Sequence, residues 1–501
     1  MRMSDLKGSP PMRTYSGCRG QLSLALALIM LGGCGFNGLK PQSRVIEPAG
    51  VEQALAGSTV ALSPAAWPAT DWWRAFQDPQ LDSLVSEALA GSPSLRAAAA
   101  RLHQASALEA IESASLLPNA DLKMSTAREH FSANGTTPAP VKGTWQNIDQ
   151  VTFNVGYELD FWGKNRSAVE AAVGRRHALE VDEHAAALML SASIVQAYIA
   201  LHNTYQQLDV AQALLSQQRQ IERLTQQRFA AELGTQIDIK QSQASLPASR
   251  AAIAALKESI ELNQNKIASL LGKGPDRGRT IVRPQLQASD TLTLPTHIAA
   301  ELIGHRPDVV AQRWRVEASG HEIDVAKARF YPNVNLTSFI GLQSLAFDTF
   351  DDRSSRILGI SPAISLPIFE GGRLRGNLEA QDAAYDLAVE NYNQTVVDAL
   401  RDIADQLASL RWLKERLSEQ NEALATAQAA SELVSKRYGA GLATYLQVLA
   451  TQNATLAEQR RLVDLQSRGL SLQANLSRAL GGGYSPDIAI PTNVSPSLAD
   501  K

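Results

Sequence analysis

Cysteine is nearly absent from this 501-residue chain: there are two, Cys18 and Cys34, both within the first 34 positions. The body beyond them can hold no disulfide framework, no cysteine-based zinc site and no cysteine nucleophile. Charge is also sparse. Asp, Glu, Lys and Arg make up 19% of the residues and the formal net charge is −3, against a usual charged share of about 25%. There is no domain-scale basic excess, so no nucleic-acid partner is expected, and there is no acidic tail. No apolar run of 18 or more residues follows position 34, which leaves no plain transmembrane helix. Catalytic signatures are missing too. There is no HExxH and no G-x-S-x-G, and the stretch Gly371 to Gly376 lacks the spacing of a phosphate loop. His177, Glu180 and His184 share one helix face, but they lie in an Ala-rich helix with no cysteine nearby. Neither a metal nor an enzymatic activity is expected.

The N-terminus carries an address. Arg2, Lys7, Arg13 and Arg19 precede the apolar run Leu22 to Leu31, which is too short to cross a bilayer and has the pattern of a secretory signal. The run ends in Leu31-Gly32-Gly33-Cys34, which resembles the bacterial lipobox. That resemblance implies a diacylglycerol and an N-acyl chain on Cys34, and Gly35 after it favours the outer over the inner membrane. Acyl anchoring draws on about 0.8 kcal/mol per buried methylene.

The chain is internally duplicated. Arg228-Phe229-Ala230-Ala231-Glu232-Leu233-Gly234-Thr235 aligns without gaps on Arg437-Tyr438-Gly439-Ala440-Gly441-Leu442-Ala443-Thr444, an offset of 209 residues. The same offset pairs Leu271-Gly272 with Leu480-Gly481. Leu400, Ile403, Leu407, Leu410, Leu417 and Leu424 step by threes and fours, and their counterparts are Ser191, Ile194, Tyr198, Leu201, Leu208 and Leu215. That spacing is the narrow apolar seam of side-by-side helices. Upstream, Ala114 to Leu122 matches Ala328 to Leu336. Neither Gly nor Pro occurs from Arg175 to Leu233 or from Asn377 to Tyr438. Each window predicts a helix roughly 90 Å long, closed by a glycine turn at Gly234 or at Gly439 and Gly441, with a second helix running back. Pro247 lies in the first returning helix and is expected to kink it.

Between the helices, Val151, Phe153, Val155, Tyr157 and Leu159 alternate with polar residues, as do Leu358, Ile360, Ile364, Leu366 and Ile368. Ala120, Leu122 and Met124 begin a third strand, and Leu336, Ile340 and Leu342 mark a fourth. A membrane barrel strand and a soluble sheet with one wet face share this period. Four strands cannot close a barrel wide enough for a cargo, so a barrel requires several chains.

Taken together, these features resemble the outer-membrane efflux protein family, TolC-like and of the NodT lipoprotein type. The match covers about residues 67–482, and its marks are Trp72-Trp73-Arg74-Ala75-Phe76-Gln77-Asp78-Pro79-Gln80-Leu81, Leu159-Asp160-Phe161-Trp162-Gly163-Lys164-Asn165-Arg166, Arg306-Pro307-Asp308-Val309, Leu366-Pro367-Ile368-Phe369-Glu370-Gly371-Gly372-Arg373 and the two tip motifs. The resemblance implies a mainly α fold with a membrane β-barrel. It comprises a long antiparallel coiled-coil α-barrel and four strands per chain, contributing to a 12-strand barrel in a homotrimer. It further implies a periplasmic adaptor and an inner-membrane pump of resistance-nodulation-division or major facilitator type as partners. On this chain, Leu233, Gly234, Thr235, Gly441, Leu442, Ala443 and Thr444 are the expected adaptor contacts. Asp238 and Gln447 are the expected constriction positions, where one Asp per chain makes a ring of three like charges.

The expected layout is a signal peptide at 1–33, a lipidated linker at 34–66, a first repeat at 67–272, a linker at 273–295, a second repeat at 296–482 and a tail at 483–501. Strands fall at about 120–130, 149–160, 333–345 and 356–368, with loops at 132–144 and 347–356. The function expected is passive export of small toxic molecules across the periplasm and outer membrane. The alternatives are a type I protein-secretion channel and a non-conducting coiled-coil envelope lipoprotein.

Overall fold

The computed structural model describes residues 40–46, 61–62, 67–287, 293–294 and 298–485. The expected leader and Cys34 lie outside the described residues. The chain divides into two compact units: Leu116–Asn165 with Glu322–Ala384, together with residues 40–42, and Ser43–Ser115 with Arg166–His321 and the chain from Tyr385 on.

The first unit holds a four-stranded sheet. Strands β1 (Asn119–His130), β2 (Trp145–Leu159), β3 (Asn333–Ser344) and β4 (Arg356–Ser365) pair antiparallel in chain order. Register rows cross all four strands, as in Leu122↔Phe153↔Ile340↔Leu358. β2 begins earlier than its alternation alone indicates, because the loop closes tightly: Phe131 N donates to Thr144 O (3.0 Å) and Gly143 N to Phe131 O (3.0 Å). β4 ends at Ser365 rather than 368; Pro367 just beyond it has no N–H for a ladder.

The helices are α1 (Pro79–Gly91), α2 (Pro93–Ala114), α3 (Lys164–Ala230), α4 (Gln236–Leu270), α5 (Pro275–Arg279), α6 (Ile298–His305), α7 (Pro307–Ala328), α8 (Arg373–Gly439) and α9 (Tyr445–Ala479). The duplication holds to the residue. α3 and α8 each have 67 residues and α4 and α9 each have 35. Both ends of each pair differ by the offset of 209 read from the tip motifs. α4 continues through Pro247.

The seam of α8 runs through Tyr392, Val396, Ala399, Ile403 and Leu407, all nearly inaccessible. On α3 the counterparts of the leucine series, Ser191, Ile194, Tyr198, Leu201, Leu208 and Leu215, are all buried. Two polar residues in this seam are satisfied by neighbours: Ser249 Oγ donates to Gln218 Oε1 at 2.6 Å, and Thr225 Oγ1 lies 2.9 Å from Tyr438 Oη. By length and composition α3 could cross a bilayer, yet half of its most apolar window is buried in the fold. It is a core helix whose apolar stretch is spent on packing.

Two sequence motifs resolve into polar anchors. In the first, Trp72, Trp73 and Phe76 are buried in a 3-10 turn and join the main core cluster. Asp78 caps α1: its Oδ1 accepts from Gln80 N (2.9 Å), and its Oδ2 accepts from Tyr198 Oη (2.8 Å) and Gln285 N (2.8 Å). Burial, with Asp78 alongside, pushes the Tyr198 phenol well above its ordinary value. In the second motif, Arg306 is mostly buried. It donates to Asp308 Oδ2 (2.6 Å) and Ala479 O (3.3 Å) and lies 3.5 Å from Asp402, which also pairs with Arg478 at 2.9 Å. A guanidinium leaves water only where carboxylates and carbonyls replace its hydration.

Asp402→Ala leaves two guanidiniums short of a partner and is expected to cost about 3 kcal/mol. Denaturant unfolding of the purified protein measures this, and Asp402→Glu should recover most of the loss. His202 is the acid-sensitive group. Burial, and Arg283 nearby, lower its pKa, while its hydrogen bond to Pro284 O (3.3 Å) opposes the shift. A base whose folded pKa lies below the unfolded value, about 6.5, contributes stability that is fully present above that value and lost as pH falls through the folded pKa. Melting temperature should therefore drop on acidification below about pH 6.5, and His202→Gln should flatten part of that slope.

Candidate functional site

The sheet has two unlike faces. One carries Leu122, Met124, Val151, Phe153, Val155, Leu336, Ile340, Leu342, Leu358, Ile360 and Ile364 in adjoining register rows. This apolar face is bare: Met124 is 80% exposed, Leu358 77% and Ile360 74%. The opposite face carries Asp121, Lys123, Thr152, Asn154, Asn335, Thr337 and Gln343, with Asn154 Nδ2 donating to Asp121 Oδ2 at 3.0 Å. A soluble sheet buries its apolar face; here that face is left largely exposed, which fits lipid and not water. Aromatic residues mark both ends. Trp145 is edge-on to His130 (5.2 Å), and Trp162 stacks on Tyr331 (4.7 Å) while donating to Pro332 O (2.8 Å). Amphipathic rings at the two boundaries of an apolar band are a membrane-interface pattern. β1 and β4 leave outer edges unpaired, which lipid does not tolerate.

The second candidate surface is formed by the hairpin tips. At the second tip, α8 ends with Gly441 in the left-handed region (φ 82) and Leu442 N donating to Arg437 O at 2.8 Å. At the first tip the equivalent position is Glu232 (φ 64), with Leu233 N donating to Arg228 O at 2.9 Å. Gly234 was expected to provide the glycine turn; the left-handed residue is Glu232 instead, two positions earlier. The two loops share one geometry, and the first adopts it with a side chain that disfavours it.

Thr235 caps α4. Its backbone N and hydroxyl donate to Asp238 Oδ2 at 3.0 and 2.8 Å, and Asp238 N donates back to Thr235 Oγ1 at 3.2 Å. Thr444 N likewise donates to Gln447 Oε1 at 3.0 Å. Asp238 and Gln447, the two constriction candidates, thus hold matching capping positions. Leu233, Ile237, Leu442 and Leu446 project as exposed apolar groups, each more than 60% accessible. Gly234 and Ala443 are half-buried between them, while Thr235, Gly441 and Thr444 are exposed.

The two tips are tied together by contacts that the aligned motifs, though they contain Arg228 and Tyr438, do not reveal. Ile221, Tyr438, Tyr445 and Val448 form a small core. Arg228 lies over the Tyr438 ring at 4.5 Å, donates to Tyr438 O, and reaches Leu233 O at 2.9 Å. Tyr438 is the repeat counterpart of Phe229. The hydroxyl that distinguishes them bonds Thr225, while Phe229 stays 44% exposed. A Phe-to-Tyr difference at equivalent positions was the available signal.

Elsewhere, His177 stacks on Trp314 at 4.6 Å and meets Glu180 at 3.1 Å, and Arg176 bridges Glu180 and Glu109. These side chains are engaged in packing and ion pairing, and His184 packs against Tyr484. An open groove of about 1130 Å³ along α3, α8 and α9 is lined by Trp412, Glu419, Glu458, Arg461 and Arg468 among others. It has no paired nucleophile and base.

Comparison with known proteins agrees with this geometry. The family model described as "Outer membrane efflux protein" matches residues 84–273 and 298–482, one segment per half. The fusaric acid resistance protein FusA of Burkholderia cepacia is 40% identical over 365 residues, covering 72% of this chain and 68% of that protein. The multidrug resistance outer membrane protein MdtP of Escherichia coli K12 is 33% identical over 448 residues, covering 86% and 90%. Among solved structures, the outer membrane protein VceC of Vibrio cholerae superimposes with a TM-score of 0.79 at 39% identity, over 83% of this chain and 100% of that one.

The two tips respond oppositely to glycine. Glu232→Gly should stabilise the first tip by about 1 kcal/mol, and Gly441→Ala should destabilise the second by a similar amount. Hydrogen exchange of the tip amides reads both, and equal protection in wild type and variants would refute the assignment.

Proposed function

Because the chain belongs to the outer membrane efflux protein family, we propose that it forms the exit duct of a tripartite efflux pump, passively releasing small toxic molecules. One observation carries the reading. The sheet has four strands, two free edges and a bare apolar face. Closing it in lipid requires other copies, and three copies supply twelve strands, enough for a lumen. The polar sheet face then lines a water-filled path.

Energy comes from an inner-membrane pump, and a periplasmic adaptor takes the tip residues Leu233, Gly234, Thr235, Gly441, Leu442, Ala443 and Thr444. The Arg228–Tyr438–Thr225 tie holds the two hairpins of one chain together and resists their separation. Asp238, repeated in three copies, supplies a ring of carboxylates near the constriction, with Gln447 at the matching position. Lipid on Cys34 anchors the N-terminus to the outer membrane. The names of FusA and MdtP, fusaric acid resistance and multidrug resistance, favour organic toxicants as cargo.

Deleting the gene should sensitise the cell to some members of a panel of antibiotics, aromatic acids and dyes, and restoring it should reverse this. Purified protein should run as a heat-sensitive trimer and conduct in a planar bilayer. A protein that shows neither trimer nor conductance is not a duct.

A further inference from the structure

The outward end of the sheet, where the hairpin loops lie, carries a charge pattern that export does not use. On the lipid-facing side the row Met124↔Val151↔Leu342 ends at Arg356 on β4. Beyond it come Thr126↔Asp149↔Ser344, then Arg128↔Asn147, then His130↔Trp145. Both arginines thus lie on the apolar face, Arg356 in its last apolar row and Arg128 two rows beyond. Both are exposed.

Several arginines of this fold are committed elsewhere. Arg176, Arg277, Arg283, Arg306, Arg315 and Arg478 all hold carboxylates. Among the described residues neither Arg128 nor Arg356 has a carboxylate partner. Arg128 instead lies 6.0 Å from the Trp145 ring centroid, with His130 against the same ring. The nearest carboxylate on that face, Asp149, accepts from Thr126 Oγ1 at 2.5 Å. Asp348, Asp351 and Asp352 belong to the β3–β4 loop, and Glu129 to the opposite face.

A guanidinium held at the hydrocarbon boundary beside an indole is placed to meet a lipid headgroup, and its forked donors match phosphate oxygens. Arg128 and Arg356 also sit on the two edge strands, β1 and β4. Barrel closure sets β4 of one copy against β1 of the next, so each seam brings together the two edge strands that carry Arg128 and Arg356.

We propose that Arg128 and Arg356 form a binding site for the phosphate groups of outer-leaflet glycolipid, one site per subunit seam. This rests on the trimeric barrel reading. The phosphate recognised is that of a lipid headgroup rather than a free anion.

The test incubates purified full-length trimer in detergent with diphosphoryl lipid A and measures retention by native mass spectrometry. Wild type should retain it, Arg128→Ala/Arg356→Ala should weaken retention at least tenfold, and Arg128→Lys/Arg356→Lys should keep most of it. Lipid A stripped of phosphate should bind wild type and the alanine variant alike. Equal retention of diphosphoryl lipid A by wild type and the alanine variant overturns the proposal. Displacement by millimolar inorganic phosphate overturns the lipid assignment, and loss of the heat-sensitive trimer in the alanine variant assigns the arginines to assembly instead. Failure of the duct reading shows separately, as wild-type protein with neither trimer nor conductance.

Discussion

In lipid, a backbone N–H or carbonyl that lacks a protein partner has none, and the whole architecture answers to that constraint. Four strands with their apolar side outward cannot end at β1 and β4 in a bilayer. The edges must be paired, and the chain has no further strand of that length among the described residues. Oligomeric closure is therefore a condition of the sheet's existence in a membrane.

Those helices depend on one another for the same kind of reason. A helix of 67 residues has no stable isolated form unless its apolar stripe is covered along its length. The stripe here is narrow, stepping by threes and fours, and each helix covers a neighbour's. Polar residues enter the seam only with partners, as Gln218 does with Ser249. Near the first unit's sheet the residues are chosen for lipid; along the hairpins they are chosen for one another.

Duplication accounts for the equal lengths of the paired long helices, and its breaks carry information. The helix ends coincide at an offset of 209, yet Glu232 stands where Gly441 stands, Pro247 where Leu456 does, and Phe229 where Tyr438 does. The last of these breaks turns an exposed ring into a buried tie between tips. That contact joins α3 and α8 through Thr225 and Tyr438, whose repeat counterparts Val434 and Phe229 lack the two hydroxyls.

The sequence by itself determined the elements and their order. Gly- and Pro-free windows, seam spacing and the repeated tip motif specified two long hairpins, since propensity and periodicity act locally along a chain. It also determined the alternation of the strands, although alternation alone could not distinguish lipid from water. Only the tertiary structure decided that, by leaving the apolar rows from Leu122 to Leu358 uncovered. It also decided the roles of Asp78 and Arg306, whose motifs are visible in the chain but whose partners, Tyr198 and Asp402, lie far along it. It decided as well that the left-handed residue of the first tip is Glu232 and not Gly234. Burial, register and partner choice are set by contacts between segments distant in sequence, and no local pattern encodes them.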